Sequence, residues 1–259
     1  MNGGLVWNLD PVFLRLGPVQ IRYYGLVFVA TLLLGFWVWR RQMLRGGYAA
    51  VVADRFLIWG TIATLAGARL GHCFFYEPQR FMADPVSILF FWQGGLASHG
   101  ALIGLILALF LFARRNRLPV LEVIDRFAMS AAVGSAGIRL GNFLNSEIVG
   151  RATNVPWAVR FIYYDHGAVA RHPSQLYEFF LGVLVLLVLY LADRWGGQEQ
   201  RPLGLMTGLF LTVYFAGRFA VEFFKEFQTP RCSILTMGQI LSILPFLAGV
   251  GLLAWVVRR

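Results

Sequence analysis

Cysteine is scarce in this chain. Cys73 and Cys232 are the only two among 259 residues. They lack metal-ligand spacing and have no third cysteine to pair with, so two packed thiols are expected rather than a disulfide framework. Lysine is scarcer still. Of 23 basic residues only Lys225 is a lysine, which leaves 22 arginines. Histidine occurs four times, and His166 and His172 stand six apart in a loop, poor spacing for a metal. HExxH, a P-loop, a dinucleotide glycine pattern and a GxSxG elbow are all absent, and with them the chemistry that each supports. No metal or other cofactor is expected. No internal repeat or low-complexity linker breaks the chain. Charge is sparse at 14% against 58% hydrophobic residues, which excludes an ordinary soluble domain. The N-terminus does not read as a cleavable signal peptide, because its first positive residue is Arg15 and no Ala-x-Ala-like site follows a short apolar core.

What is present in abundance is apolar runs. Seven reach the roughly 20 residues that a bilayer crossing needs. They cover 20–39, 56–76, 87–112, 120–143, 174–193, 203–223 and 237–257. The fourth and sixth are weaker, since both carry charge. The formal net charge of +10 would suit a nucleic-acid binder, but the arginines cluster at the ends of apolar runs. They are therefore read as topology and contact with anionic lipid, and no nucleic-acid partner is expected. Arg40, Arg41 and Arg45 follow the first run. Arg114, Arg115 and Arg117 follow the third, Arg194 and Arg201 the fifth, and Arg258 and Arg259 the seventh. If every run crosses, all four groups share one side, which the positive-inside rule makes cytoplasmic. The N-terminus is then outside and the C-terminus inside. Trp7, Trp92, Trp157 and Trp195 fall near run ends, as an aromatic belt requires. The expected architecture is an all-α integral membrane protein, 1–259 as one transmembrane domain. Residues 144–173, with the β-prone run 157–164, form most of a small extracytoplasmic head with some strand.

Several polar residues sit where hydrocarbon makes them costly. The densest group is IRLGNFLNSEIVGR, residues 138–151, with Arg139, Asn142, Asn145, Glu147 and Arg151. Arg139 and Asn142 are three apart and share a helix face; Glu147 and Arg151 share one only if the helix continues that far. A structural salt bridge from Glu147 to an arginine is the plainer alternative. Arg69 lies mid-run and implies a polar interior. His99, in WQGGLASHGALIG, is flanked by small residues and is the side chain best suited to moving a proton near neutral pH. Arg22 and Tyr24 stand at the outer end of the first run. Tyr214 and Arg218 are four apart on one face, with Glu222 a turn further on, where Arg218 and Glu222 could simply pair. Several arginines facing one cavity need an anion. Guanidinium forks match phosphate, and the abundant phosphate of a bilayer is a lipid head group.

IRLGNFLNSEIVGR resembles the GRxGNFxNxExxGR signature of bacterial prolipoprotein diacylglyceryl transferases. RYYG near the start, WQGGLASHGALIG, RHPSQLYE at 171–178 and Tyr214-Phe-Ala-Gly-Arg218 with VEFF resemble that family's other motifs, in the same order, from about residue 10 to about 240. Ile138 and Ser146 stand where glycine is usual, and Ala101 replaces a glycine after the histidine. The resemblance implies a seven-helix inner-membrane protein with a periplasmic head, an N-terminus in the periplasm and a C-terminus in the cytoplasm. It implies transfer of a diacylglyceryl group from phosphatidylglycerol to the thiol of the lipobox cysteine in the signal peptide of a preprolipoprotein, the first step of lipoprotein maturation. A thioether and glycerol phosphate are the products. The attacking sulfur belongs to the substrate, so neither cysteine here need react. The residues implied for catalysis are Arg139, Arg218, and His99 or Tyr24 as the proton acceptor. Those implied for binding lipid or peptide are Arg69, Asn142, Asn145, Glu147, Gly150, Arg151, His172 and Tyr214, again with Arg139 and Arg218. The rival reading is a lipid or organic-anion transporter that uses an arginine-lined cavity for binding alone. A metal-dependent phosphatidyltransferase would need several intramembrane aspartates, and only Asp125 lies in the interior of a run, Asp193 being the last residue of another.

Overall fold

The protein is described from a computed structural model that covers residues 4–17, 19–90, 94–226 and 235–258. Trp92, Cys232 and Arg259 lie outside the described residues. The order of elements is β1 (Leu5–Trp7), β2 (Val12–Leu16), β3 (Val19–Arg22), α1 (Tyr23–Arg45), α2 (Ala50–Phe75), α3 (Pro78–Ala83), α4 (Ser98–Arg115), α5 (Val120–Leu144), β4 (Val159–Phe161), α6 (Ile162–Asp165), α7 (Ser174–Trp195), α8 (Leu205–Val221) and α9 (Met237–Val257). The chain divides into two compact units, one of residues 1–39 with 127–259 and one of residues 40–126.

Among the described residues six helices are long and apolar enough to cross a membrane: α1, α2, α4, α7, α8 with its extension to Phe224, and α9. The α5 helix forms over the expected residues and is 25 residues long, but it carries Glu122, Asp125, Arg126 and Arg139 and falls below the others in hydropathy. Long apolar side chains cover the outer faces of the six. On α4, Leu102, Ile103, Ile106, Leu107, Phe110 and Leu111 are all exposed. Water would not tolerate such a surface, and a lipid solvent does.

The 40–126 unit is held by α2 against α4. Glycines line the contact, and a Cβ on Gly71 would stand 2.8 Å from Gly100 Cα. Small residues at such a seam let two backbones approach closely. The run expected to cross from 87 to 112 is not one helix. Residues 85–89 form a single 3-10 turn, Gly94 and Gly95 adopt φ of +92° and +77°, and the helix begins only at Ser98. Apolar content alone could not reveal the break; the paired glycines caused it. Arg69 pins this loop. Its Nε donates to Ile88 O at 2.9 Å, Nη1 to Gly94 O at 2.6 Å and Nη2 to Ser87 O at 2.7 Å. The guanidinium also lies over the Phe81 ring. A buried cation is thus satisfied by carbonyl dipoles. Cys73 is buried here as a free thiol.

In the larger unit, α5, α7 and α8 share a core of Ala128, Met129, Ala132, Leu181, Val185, Leu189 and Met206. Ser130 Oγ donates to Gly35 O and ties α5 to α1. The segment 144–173 contributes one short strand. The β-prone run yields β4, which pairs in parallel with β1, while β2 and β3 form an antiparallel hairpin. Phe143, Val149, Val159 and Phe161 form a second hydrophobic core. Trp7 packs against this core, its ring 4.5 Å from that of Phe143.

Candidate functional site

The site is built at one end of the larger unit, where α5 and α8 end and α7 begins. Asn142 is the third-last residue of α5, and its carbonyl accepts the amide of Glu147 at 2.9 Å. The chain therefore folds back on itself after Leu144 instead of continuing as helix. Ser146 and Ile148 take left-handed φ of +56° and +54° to make the turn. Glu147 and Arg151 do not share a helix face. Among the described residues Glu147 pairs with no arginine. It accepts from Asn145 Nδ2 at 2.9 Å and, at 3.5 Å, from Asn142 Nδ2. Asn142 Oδ1 in turn faces Arg139 Nη1 at 3.5 Å, as the three-residue spacing predicted. Tyr24, on α1, packs its ring on Gly141 and lies within electrostatic reach of Arg139 and Glu147.

The centre of the arrangement is a residue that sequence spacing did not single out. Glu178, on the second turn of α7, is 2% exposed. Its Oε2 is 2.9 Å from Arg139 Nε, and its Oε1 accepts from Arg218 Nη1 at 3.0 Å. Lys225 Nζ stands 3.7 Å from Glu178 and 3.5 Å from Glu222. Arg218 therefore pairs with Glu178, and Glu222 pairs with the lysine rather than with the arginine one turn earlier. Three cations thus share Glu178 and Glu222, with Glu147 one amide further out beyond Asn142. The two arginines also keep N–H groups that Glu178 does not use. Burial pulls the Lys225 ammonium below the usual lysine range, which marks how dry this corner is. A weak signal for Glu178 existed: an acid inside a strongly apolar helix is costly unless paired.

Around this centre the backbone is stitched closely. Arg151 N–H donates to Phe224 O and its Nε to Lys225 O at 2.8 Å. Gly150 N–H donates to His172 O, and a Cβ there would meet Phe224 O at 2.6 Å, so only glycine fits. His172 Nδ1 is 3.0 Å from Tyr177 Oη, and burial holds its imidazole below the ordinary value. Arg171, the first residue of RHPSQLYE, bridges Asp165 at 2.9 Å and Glu226 at 2.7 Å. Tyr214 sits one turn before Arg218 on α8, stacked on Phe210 and packed on the α7 core.

His99 and Arg69 belong to the other unit. His99 is the second residue of α4 and is exposed. Arg69 has at least one N–H on each of its three nitrogens committed to loop carbonyls just before that helix. It holds the loop that precedes α4 instead of offering a free guanidinium fork.

Membrane-length helices around a polar corner lined by two arginines define a multi-pass membrane protein. The prolipoprotein diacylglyceryl transferase family matches residues 11–255, and the chain belongs to that family. Among its relatives is the phosphatidylglycerol–prolipoprotein diacylglyceryl transferase of Tolumonas auensis, 40% identical over 96% of this chain and 96% of its own length. The enzyme of the same name from Pseudoalteromonas atlantica is 37% identical over 97% of this chain and 91% of its own. That of Cupriavidus necator is 40% identical over 97% and 94%.

Proposed function

We propose that this protein transfers a diacylglyceryl group from phosphatidylglycerol to the thiol of a lipobox cysteine in a preprolipoprotein. The observation that carries the reading is Glu178 shared by Arg139, Arg218 and Lys225. A carboxylate that fixes two guanidinium groups and leaves each with further N–H donors is suited to a phosphate ester. In the reaction the peptide thiol gives up its proton, and the thiolate attacks the glyceryl carbon that bears the phosphate. A C–S bond forms, the C–O bond breaks, and its electron pair leaves with glycerol phosphate. Arginines fixed in advance stabilise the charge that grows on that oxygen. Asn142, Asn145, Glu147 and the stitched Gly150, Arg151 and His172 supply the walls, with Tyr214 backing Arg218.

His99 is the proton acceptor favoured by its chemistry, and Tyr24 by its place beside Arg139 and Glu147. Single-turnover transfer by His99→Gln between pH 7 and 9.5 separates them. A base role for His99 predicts a loss of about 10²–10⁴-fold that shrinks as the substrate thiol, with an unperturbed pKa of about 8.5, ionises on its own. A loss that stays constant across the range assigns the role to Tyr24.

The setting proposed is the bacterial inner membrane. The α5 helix supplies a seventh crossing, its charges satisfied internally, as with Arg126 Nε on Glu122 at 3.0 Å. Residues 144–173 form most of a periplasmic head, and residues 1–259 act as a single transmembrane domain. The N-terminus is periplasmic and the C-terminus cytoplasmic. The deciding experiment incubates purified protein with phosphatidylglycerol and a lipobox peptide and weighs the peptide. A mass gain equal to one diacylglyceryl group supports the reading. Movement of lipid across vesicles with no covalent product would make it a transporter.

A further inference from the structure

The turn that follows α5 does more than close the arginine corner. Its outer side forms one wall of a cleft of about 550 Å³, lined by Arg22, Asn145, Ser146, Glu147, Tyr163 and Tyr164 among others. Within this wall two buried polar atoms have no hydrogen-bond partner among the described residues: Asn145 Oδ1 and Ser146 Oγ. Ser146 is only 3% exposed. An orphaned buried polar atom costs free energy, and two adjacent ones at a cleft call for a ligand that satisfies them. The wall is also held rigid. Glu147 O accepts from Gln175 Nε2 at 2.7 Å and Ile148 O from Ser174 Oγ at 3.2 Å, so α7 fixes the carbonyls on the far side. The left-handed φ values of Ser146 and Ile148 are the strain such a fixed turn carries.

We infer that this cleft receives the main chain of the acceptor polypeptide beside its reactive thiol. An extended peptide offers an N–H and a C=O at each residue. An amide oxygen that only accepts and a hydroxyl that donates match that pair. A second phosphate does not fit, because Glu147 lines the wall and Arg22 is the one cation among the lining residues. The glycerol of a lipid head group has the right hydrogen bonding but is too small to fill the space and gains little from Tyr163, which is half exposed at the rim. The cleft and the anion corner are joined by a chain of polar contacts. Glu147 lines the cleft and accepts from Asn142 Nδ2 at 3.5 Å, and Asn142 Oδ1 faces Arg139 Nη1 at 3.5 Å. A peptide lying in the cleft therefore has its thiol next to the corner where the phosphate ester is proposed to sit. The inference rests on the transfer reaction proposed above for its choice of polypeptide.

The test measures KM separately for a lipobox peptide and for phosphatidylglycerol in detergent, for the parent, Ser146→Ala and Tyr163→Ala. Tyr163 is a surface side chain, so its loss spares the fold. Both variants should raise the KM for peptide about three- to tenfold, as one lost hydrogen bond or contact does, with kcat and the lipid KM unchanged. A rise in the lipid KM alone would make the cleft a head-group site, and no change in either KM would make the turn purely structural. Binding of a fluorescent lipobox peptide to the parent without lipid is measured alongside. Peptide that binds and is weakened by the same variants, in a protein that transfers nothing, would keep the cleft and sink the reaction.

Discussion

With its oxygens 2.9 and 3.0 Å from two guanidinium groups, buried Glu178 sets how Arg139 and Arg218 point. Lysine could replace the charge of Arg139 but not the second nitrogen that a fork keeps for a ligand. Arg139→Lys should stay folded and lose about 10²–10³ in turnover, the usual cost of one preorganised donor. Near-parental turnover would reduce Arg139 to a source of field. The arginines, Asn142, Asn145 and Glu147 were legible in the sequence because polar groups in an apolar run advertise themselves. Glu178 was not, since nothing in spacing links residue 178 to residues 139 and 218. Only the packing of α7 beside α5 and α8 brings the three together. Helix periodicity left open a pairing of Glu222 with Arg218; the chain leaves the helix after Val221, and Lys225 stands 3.5 Å from Glu222 instead.

At the scale of elements, helix positions followed hydrophobic run lengths closely for α5, α7, α8 and α9. The third run failed because composition is blind to backbone conformation. Gly94 and Gly95 turn the chain left-handed in the middle of an apolar stretch, and Arg69 fastens the turn. The α2–α4 seam offers a sharp check on packing. Gly71→Ala pushes a Cβ to 2.8 Å from Gly100 Cα, and overpacking of that kind costs about 1–3 kcal/mol. Gly134→Ala, on α5, meets nothing within 4 Å and should be neutral or stabilising by about 0.5–1 kcal/mol, since alanine suits a helix interior better. Thermal unfolding in detergent should place the two variants on opposite sides of the parent. Equal midpoints would mean that the helices yield at the seam.

For the whole molecule the open quantity is the number of crossings. Six helices meet the length and hydropathy that a bilayer demands, and α5 is the one whose crossing depends on internal pairing of its charges. Reporter fusions after residues 45, 115, 198 and 259 decide it. Seven crossings put all four in the cytoplasm. If α5 does not cross, the first two still report the cytoplasm, and those after 198 and 259 move to the other side.

Lys225 is the only lysine in the chain and stands 3.7 Å from the carboxylate that organises the anion corner. Apart from the N-terminus, the chain thus holds a single amine that an acylating reagent can modify, and that amine lies buried in the corner itself. Labelling of that amine becomes a built-in occupancy gauge. Glycerol phosphate at saturating concentration should slow its acylation several-fold, whereas glycerol should not. The protection constant would then give the affinity of the corner for its leaving group with no lipid or peptide in the tube.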